Sequence, residues 1–262
     1  MEDVLIESLE DGLLTLVMNR PQVRNALSPE LTQRLLDAVR KAESDPAVRA
    51  ILLTGAGNAF CSGGDVKAMA TGGQTATYDQ RVRQLRARME VSRLLHQMPK
   101  PSIALLRGAA AGAGLSLALA CDIRIATPGA KLTTAFARVG LSGDFGGTYF
   151  LPKIVGAAKA RELYLLGDVL DGEQALAIGL VTRLFPDSDI EEETRRIAAR
   201  LASGPTVALG YIKENLNLAE HGDLGSVFDA EALRHIRCAG TDDHREAAQA
   251  FVEKRAPVFR GT

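Results

Sequence analysis

Cysteine and histidine are sparse in this 262-residue chain, and neither is spaced for metal or disulfide chemistry. Cys61, Cys121 and Cys238 lie far apart with no CxxC pair, which leaves no zinc site and no disulfide framework to read. His96, His221, His235 and His244 are scattered and form no HExxH spacing, so no metal is expected. A strong charge bias is also missing. The formal net charge is −1, with no run rich in Lys or Arg, so neither nucleic acid nor an anionic membrane surface is indicated as a partner. A local basic site for a phosphorylated ligand stays compatible with that balance. No apolar run approaches transmembrane length. The opening MEDVLIESLEDG is acidic, without the basic-then-apolar layout of a secretion signal, which makes the cytoplasm the expected compartment.

What remains is an ordinary globular composition, 46% hydrophobic and 24% charged, on a chain long enough to bury a full core. Val4–Leu9 and Leu13–Asn19 read as strands joined at Asp11–Gly12, a strong hairpin signal. Ser28 then caps a helix with Pro29 at its first position and Leu31, Leu35, Val39 and Ala42 as its apolar stripe. RAILLTG (49–55) and PSIALLR (101–107) read as buried strands, with one long helix around Tyr78–Met98 between them, and DIRIA (122–126) is a third central strand. Strands alternating with helices imply crossover connections and a mainly parallel sheet. From Ile190 onward the pattern is helical, with further segments starting at Pro205, Asp223 and Asp242. The apolar stripes of this tail must be buried, against its own core or against other copies.

Three small-residue segments are candidates for chemistry. Asn58–Asp65 (NAFCSGGD) follows one strand, and Gly108–Gly114 (GAAAGAG) follows another and runs into the helix LSLALA. In α/β proteins ligands gather at such strand ends. Small residues at a loop-to-helix junction leave N–H groups open to close approach, and such donors stabilise a developing oxyanion. The third segment, Gly140–Gly147 (GLSGDFGG), sets the carboxylate of Asp144 among glycines just before a helix at Thr148–Ile154. Singly, each segment is equally well a tight turn, and Asp144 a turn or capping residue. No Gly-Lys-Ser/Thr phosphate loop, no well-spaced dinucleotide fingerprint and no GxSxG elbow is present.

Taken together, NRPQVRNALS (19–28), ILLTGAGNAFCSGGDVKAM (51–69), KPSIALLRGAAAGAGLSLALACDIRIAT (100–127), ARVGLSGDFGGTYFLPKIVG (137–156), GLVTRLFP (179–186) and FVEKRAPVF (251–259) resemble the enoyl-CoA hydratase/isomerase (crotonase) superfamily in order along essentially the whole chain. The resemblance implies an α/β fold with a crotonase-like core of repeated β-β-α units over residues 1–200 and a C-terminal helical oligomerisation region over 201–262. It implies an acyl-CoA thioester substrate, with coenzyme A as part of that substrate and no separate cofactor or metal. Assembly is expected as a homotrimer or a pair of trimers, with no nucleic acid or membrane partner.

Carried over residue by residue, the resemblance implies that the backbone N–H groups of Gly64 and Ala113 hold the thioester oxygen. Arg24, Lys67, Phe251 and Lys254 match coenzyme A contacts, and Asp65 is assigned to holding its loop. Family hydratases carry two glutamates, and the matching positions here are Ser116 and Phe136. Both carboxylates are gone, although adding water across a double bond calls for groups to deprotonate water and deliver the second proton. Asp144 instead matches the aspartate of family isomerases, and its surroundings are most similar to the phenylacetate-pathway epoxide/enoyl-CoA isomerase branch. The expected activity is therefore double-bond isomerisation, 3-enoyl- to 2-enoyl-CoA or a ring-derived acyl-CoA, with Asp144 as a single proton shuttle. Ser116, Phe136, Phe145 and Tyr149 are the expected acyl-pocket residues. The alternatives are an enoyl-CoA hydratase and a non-catalytic acyl-CoA-binding member. The family's aromatic dehalogenase chemistry uses a tryptophan, and this chain has none.

Overall fold

In the computed structural model, residues 3–65 and 76–262 are described. Strands β1 (Leu5–Glu10) and β2 (Leu13–Met18) form the expected antiparallel hairpin, with Leu5 opposite Met18 and Glu10 opposite Leu13. Asp11 and Gly12 both take positive φ, 48° and 82°, as a two-residue turn between twisted strands requires. Strands β3 (Ala50–Gly55), β4 (Ser102–Leu106), β6 (Ile123–Ala126) and β8 (Arg183–Leu184) then add in parallel, giving the order β1-β2-β3-β4-β6-β8.

The two-residue period of a strand sends neighbouring side chains to opposite faces. Leu14, Leu16, Met18, Ile51, Leu53 and Leu106 accordingly face one cluster, with helix α1 (Pro29–Ser44) packed on it. Leu13, Ala50, Leu52, Ile103, Leu105 and Ile125 face a second cluster that includes Ile190, Ala198 and Ala202 of the first tail helix. Burial on both faces explains why RAILLTG reads as a continuous apolar run.

Two features depart from the sequence reading. The helix expected around Tyr78–Met98 is two helices, α2 (Tyr78–Arg88) and α3 (Glu90–Gln97), divided at Met89. Solvation separates them, since α2 buries no residue whereas α3 buries Val91, Ser92, Leu94 and Leu95. The Ser92 N–H donates to the Met89 carbonyl at 3.1 Å, a tightened turn that redirects the chain. Second, the Gly108–Gly114 segment is not all loop. Ala109–Ala111 forms strand β5, paired in parallel with β7 (Lys131–Thr133) as a separate two-stranded sheet.

Helix α4 (Ala113–Leu119) follows β5, and every one of its residues is buried. Beyond β7 come α5 (Gly147–Val155), α6 (Ala157–Leu166) and α7 (Gly172–Ala177). The tail comprises α8 (Ile190–Ala202), α9 (Thr206–Ala219), α10 (Leu224–Ala239) and α11 (Asp242–Glu253). Helix α9 is fastened by the buried Lys213, whose Nζ donates to the carbonyls of Leu95 and Lys100 at 2.7 and 3.1 Å and to Asp122 Oδ2 at 2.8 Å. Helix α10 has no fully buried residue and exposes Leu224, Phe228, Leu233 and Ile236. Among the described residues no helix is long and apolar enough to cross a membrane.

Candidate active site

The first loop is held by backbone hydrogen bonds on both sides. Cys61 pairs with β5, its N–H donating to the Ala109 carbonyl at 3.0 Å and its carbonyl accepting from Ala111 N–H at 2.9 Å. On the other side, Ser62 N–H donates to the Arg24 carbonyl at 2.9 Å and Leu27 N–H to the Gly63 carbonyl at 2.8 Å. Gly63 has φ 90°, and a Cβ there would stand 2.6 Å from the Ala111 carbonyl oxygen and 3.5 Å from Ala113 N. Glycine is what permits this approach.

The buried Asn25 braces the same loop, donating to the carbonyls of Ala56 and Ala59 at 3.0 and 2.8 Å and accepting from Arg20 N–H at 2.9 Å. Its φ of 56° suits asparagine better than most residues. The Arg20 guanidinium also reaches Asp65 at 3.4 Å, in keeping with a loop-holding aspartate.

The second loop turns at Gly112, whose N–H donates to the Thr133 carbonyl at 3.0 Å. Ala113 opens α4, and first-turn N–H groups have no intrahelical acceptor. Neither Gly64 N–H nor Ala113 N–H donates to an acceptor among the described residues. Gly114 lies hard against the first loop, where a Cβ would fall 2.3 Å from the Cys61 carbonyl oxygen. Two unspent donors are thereby held on loops that are locked together.

The third loop carries Asp144, whose charge reaches Cys61 of the first loop. Gly143, Phe145 and Gly146 all take positive φ, 122°, 48° and 80°, and the Asp144 carbonyl accepts from Gly147 N–H at 3.2 Å. One carboxylate oxygen, Oδ1, is buried and has no hydrogen-bond partner among the described residues. Desolvation pushes the Asp144 pKa up from 3.8 to about 6, because a low-dielectric site penalises the charged form. Its charge is felt at Cys61 and Tyr164, both pushed up to about 12, chiefly by burial. Among the described residues Asp144 is the one carboxylate acting on either.

Gly147, which donates to the Asp144 carbonyl, stands beside the hydroxyls of Ser116 and Tyr164. The Tyr164 ring stacks on Phe136 with centroids 6.0 Å apart and planes within 2°, and a Cβ at Gly147 would stand 2.2 Å from its hydroxyl oxygen and 2.4 Å from Ser116 Oγ. Phe145 is buried in the main cluster. Tyr149 stands toward the tail. It is 41% exposed, and its hydroxyl lies 3.0 Å from His221 Nε2 and 3.4 Å from Glu220 at the end of α9. Arg24 is exposed beside the first loop, whereas Phe251, 86% exposed, and Lys254 lie at the end of α11 on the tail. Lys67 lies outside the described residues. Sequence reasoning misses Tyr164, since ARELYLLG reads only as a helix with no chemical signature. No group of three or more His, Cys, Asp or Glu is placed to hold a metal ion among the described residues.

Comparison with known proteins agrees over the full length. A family model described as enoyl-CoA hydratase/isomerase matches residues 8–262. The chain is 37% identical over 261 residues to 1,2-epoxyphenylacetyl-CoA isomerase of Escherichia coli (strain K12), covering 100% of both. It is 33% identical over 265 residues to crotonyl-CoA hydratase of Syntrophomonas wolfei, covering 98% of each. Among solved structures, an enoyl-CoA hydratase from Polaromonas sp. JS666 superposes with a TM-score of 0.91 at 32% identity, over 98% of this chain and 99% of that one.

Proposed function

Because this chain belongs to the enoyl-CoA hydratase/isomerase family, and so is an enzyme of the crotonase superfamily, we propose that it moves a carbon–carbon double bond within an acyl-CoA thioester, using Asp144 as its one acid–base group. Asp144, ionised, takes a proton from the carbon alpha to the thioester of a 3-enoyl-CoA. The electron pair left behind delocalises onto the thioester oxygen, which accepts hydrogen bonds from Gly64 N–H and Ala113 N–H. The double bond then forms between the alpha and beta carbons as the protonated Asp144 returns its proton to the gamma carbon. Atoms balance with no water and no second carboxylate. Donors that strengthen as the oxyanion develops contribute roughly 2.7–4 kcal/mol each.

The observation that carries this reading is the lone carboxylate. Asp144 has a buried, unpartnered oxygen and a pKa of about 6, close to what a general base working near neutrality needs. The resemblance matches Ser116 and Phe136 to the positions of the two glutamates of the family's hydratases, which supports a reaction that needs one carboxylate. The likeness to an isomerase of 1,2-epoxyphenylacetyl-CoA supports a ring-derived acyl group and a place in phenylacetate breakdown. Coenzyme A is proposed to enter as part of the substrate, with its phosphates near Arg24 and Lys67 and with Phe251 and Lys254 as further contacts; no separate cofactor takes part. The exposed apolar side chains of α10 support assembly as a homotrimer or a pair of trimers through the 201–262 region, and the expected location is the cytoplasm.

Ultraviolet absorbance of the conjugated thioester tests the reaction. Absorbance should rise with a 3-enoyl-CoA as conjugation forms. A fall with a 2-enoyl-CoA, and no rise with the 3-enoyl isomer, would make the protein a hydratase and remove the one-carboxylate mechanism. Binding of coenzyme A thioesters with no turnover of either would leave the non-catalytic reading in its place.

A further inference from the structure

We propose that Cys61 is a positioning residue of the oxyanion hole: its buried side chain touches the residue before one donor and the residue after the other, and so fixes where the Gly64 and Ala113 N–H groups point. This inference rests on the oxyanion-hole reading above and adds to it the side chain that sets the geometry of both donors.

The Gly64 N–H belongs to the peptide group that joins Gly63 to Gly64, and in a trans peptide the N–H points away from the carbonyl of the same group. That carbonyl is held by Leu27 N–H at 2.8 Å. One anchor still leaves the plane free to swing about the two rotatable bonds at Gly63, and glycine resists such motion less than any other residue. The second anchor is Cys61 Sγ, which accepts from Gly63 N–H at 3.4 Å within the buried loop. With its N–H held by sulfur and its carbonyl by Leu27, Gly63 is fixed at φ 90° between two peptide planes that are both pinned.

A short side chain that accepts from the N–H two residues on is common in turns, and alone it would make Cys61 only a loop former. What extends its reach is the second donor segment. A Cβ on Gly114 would stand 2.7 Å from Cys61 Cβ and 2.8 Å from Sγ, so the thiol packs directly against the backbone of the residue that follows Ala113. One side chain therefore contacts the first donor's predecessor through a hydrogen bond and the second donor's successor through packing. Cys61 is fully buried, and burial pushes its thiol up to about 12. The sulfur stays protonated at working pH, which leaves thiolate chemistry out of its role.

The test pairs steady-state kinetics with the infrared carbonyl band of a bound saturated acyl-CoA carrying carbon-13 at the thioester carbonyl. This probe cannot isomerise. Two aligned donors should move the band of wild-type complex to lower frequency than in water. Cys61→Ala removes both the acceptor and the packing, so kcat should fall about ten- to hundredfold with KM within about twofold, and part of the band shift should be lost. Cys61→Ser keeps an acceptor, but oxygen is smaller than sulfur and bonds to nitrogen at about 2.9 Å. It should fall between the alanine variant and wild type in both readouts. A loop-forming role alone would lower the urea midpoint while the folded variant kept wild-type kcat and band. That outcome, or a fall in kcat with the band unmoved, would overturn the proposal. Should Cys61→Ala fail to fold, Cys61→Ser carries the same test, and a wild-type band there overturns the proposal equally. Failure of the underlying reading looks different: wild-type protein itself would then show no band shift on binding.

Discussion

A Cβ at position 63 would lie 2.6 Å from the Ala111 carbonyl oxygen, so the loop bearing Gly64 and the strand leading to Ala113 approach as closely as a residue without a side chain allows. Gly63 also holds φ at 90°, where an L-residue is strained. Gly63→Ala is therefore expected to push the two donor loops apart. Turnover should fall about hundredfold or more, with a loss of about 1–3 kcal/mol in stability. Steady-state kinetics and urea unfolding check both, and an alanine variant with wild-type kcat would show that this contact does not set the donor geometry.

Lys213 should matter for stability and not for chemistry. Its ammonium is almost fully buried and satisfied by two carbonyls and Asp122. Asp122 itself accepts from Ser102 N–H at 2.7 Å and Ser102 O–H at 2.8 Å, so α9 is tied through one carboxylate to the start of β4. Lys213→Ala leaves those acceptors without their donor and should cost about 3 kcal/mol. Urea unfolding measures this loss, and a variant as stable as wild type would mean that water replaces the ammonium without penalty.

The parts of this fold that are legible from sequence are those whose cause is local. The Asp11–Gly12 turn announces its hairpin because few other residues reach positive φ there cheaply. RAILLTG announces a central strand because both of its faces are covered. The motif loops stand out because glycines cluster where backbones touch. By contrast, β5 is hidden because three alanines have no strand signature until Lys131–Thr133 comes alongside. The division at Met89 is hidden because apolar and polar residues keep a helical period across it. Tyr164 is hidden for a tertiary reason: nothing in α6 says that its hydroxyl will meet Ser116 of α4 in the space vacated by Gly147. Asp144 is legible as a candidate, but its raised pKa depends on surroundings drawn from several elements.

The pH profile should report Asp144 directly. A general base must be ionised, and burial has raised this carboxyl to about 6. The isomerisation rate, as kcat/KM, should therefore climb tenfold per pH unit at low pH and level off above about 6. A plateau extending down to pH 4 would show that Asp144 is not the group whose ionisation limits the reaction.

The same desolvation makes a prediction about stability with the opposite sign. Asp144 titrates near 3.8 when unfolded and about 6 when folded, so between those values the folded protein binds more protons than the unfolded one. Its contribution is favourable at low pH and is lost as pH rises through about 6. Asp144→Asn cannot ionise and escapes that loss. It should abolish turnover, leave coenzyme A affinity nearly intact, and make the protein more stable at pH 7 by on the order of 1–3 kcal/mol. That range follows from the gap between the folded and unfolded pKa values, at about 1.4 kcal/mol for each tenfold change in proton affinity, reduced by the partial exposure of the group. The advantage should vanish below pH 4, where wild-type Asp144 is neutral as well. Paired urea titrations of the two proteins at pH 4 and pH 7 measure the difference. An asparagine variant no more stable than wild type at pH 7 would mean that the carboxylate is better solvated or partnered than its buried oxygen indicates, and the physical basis for its elevated basicity would go with it.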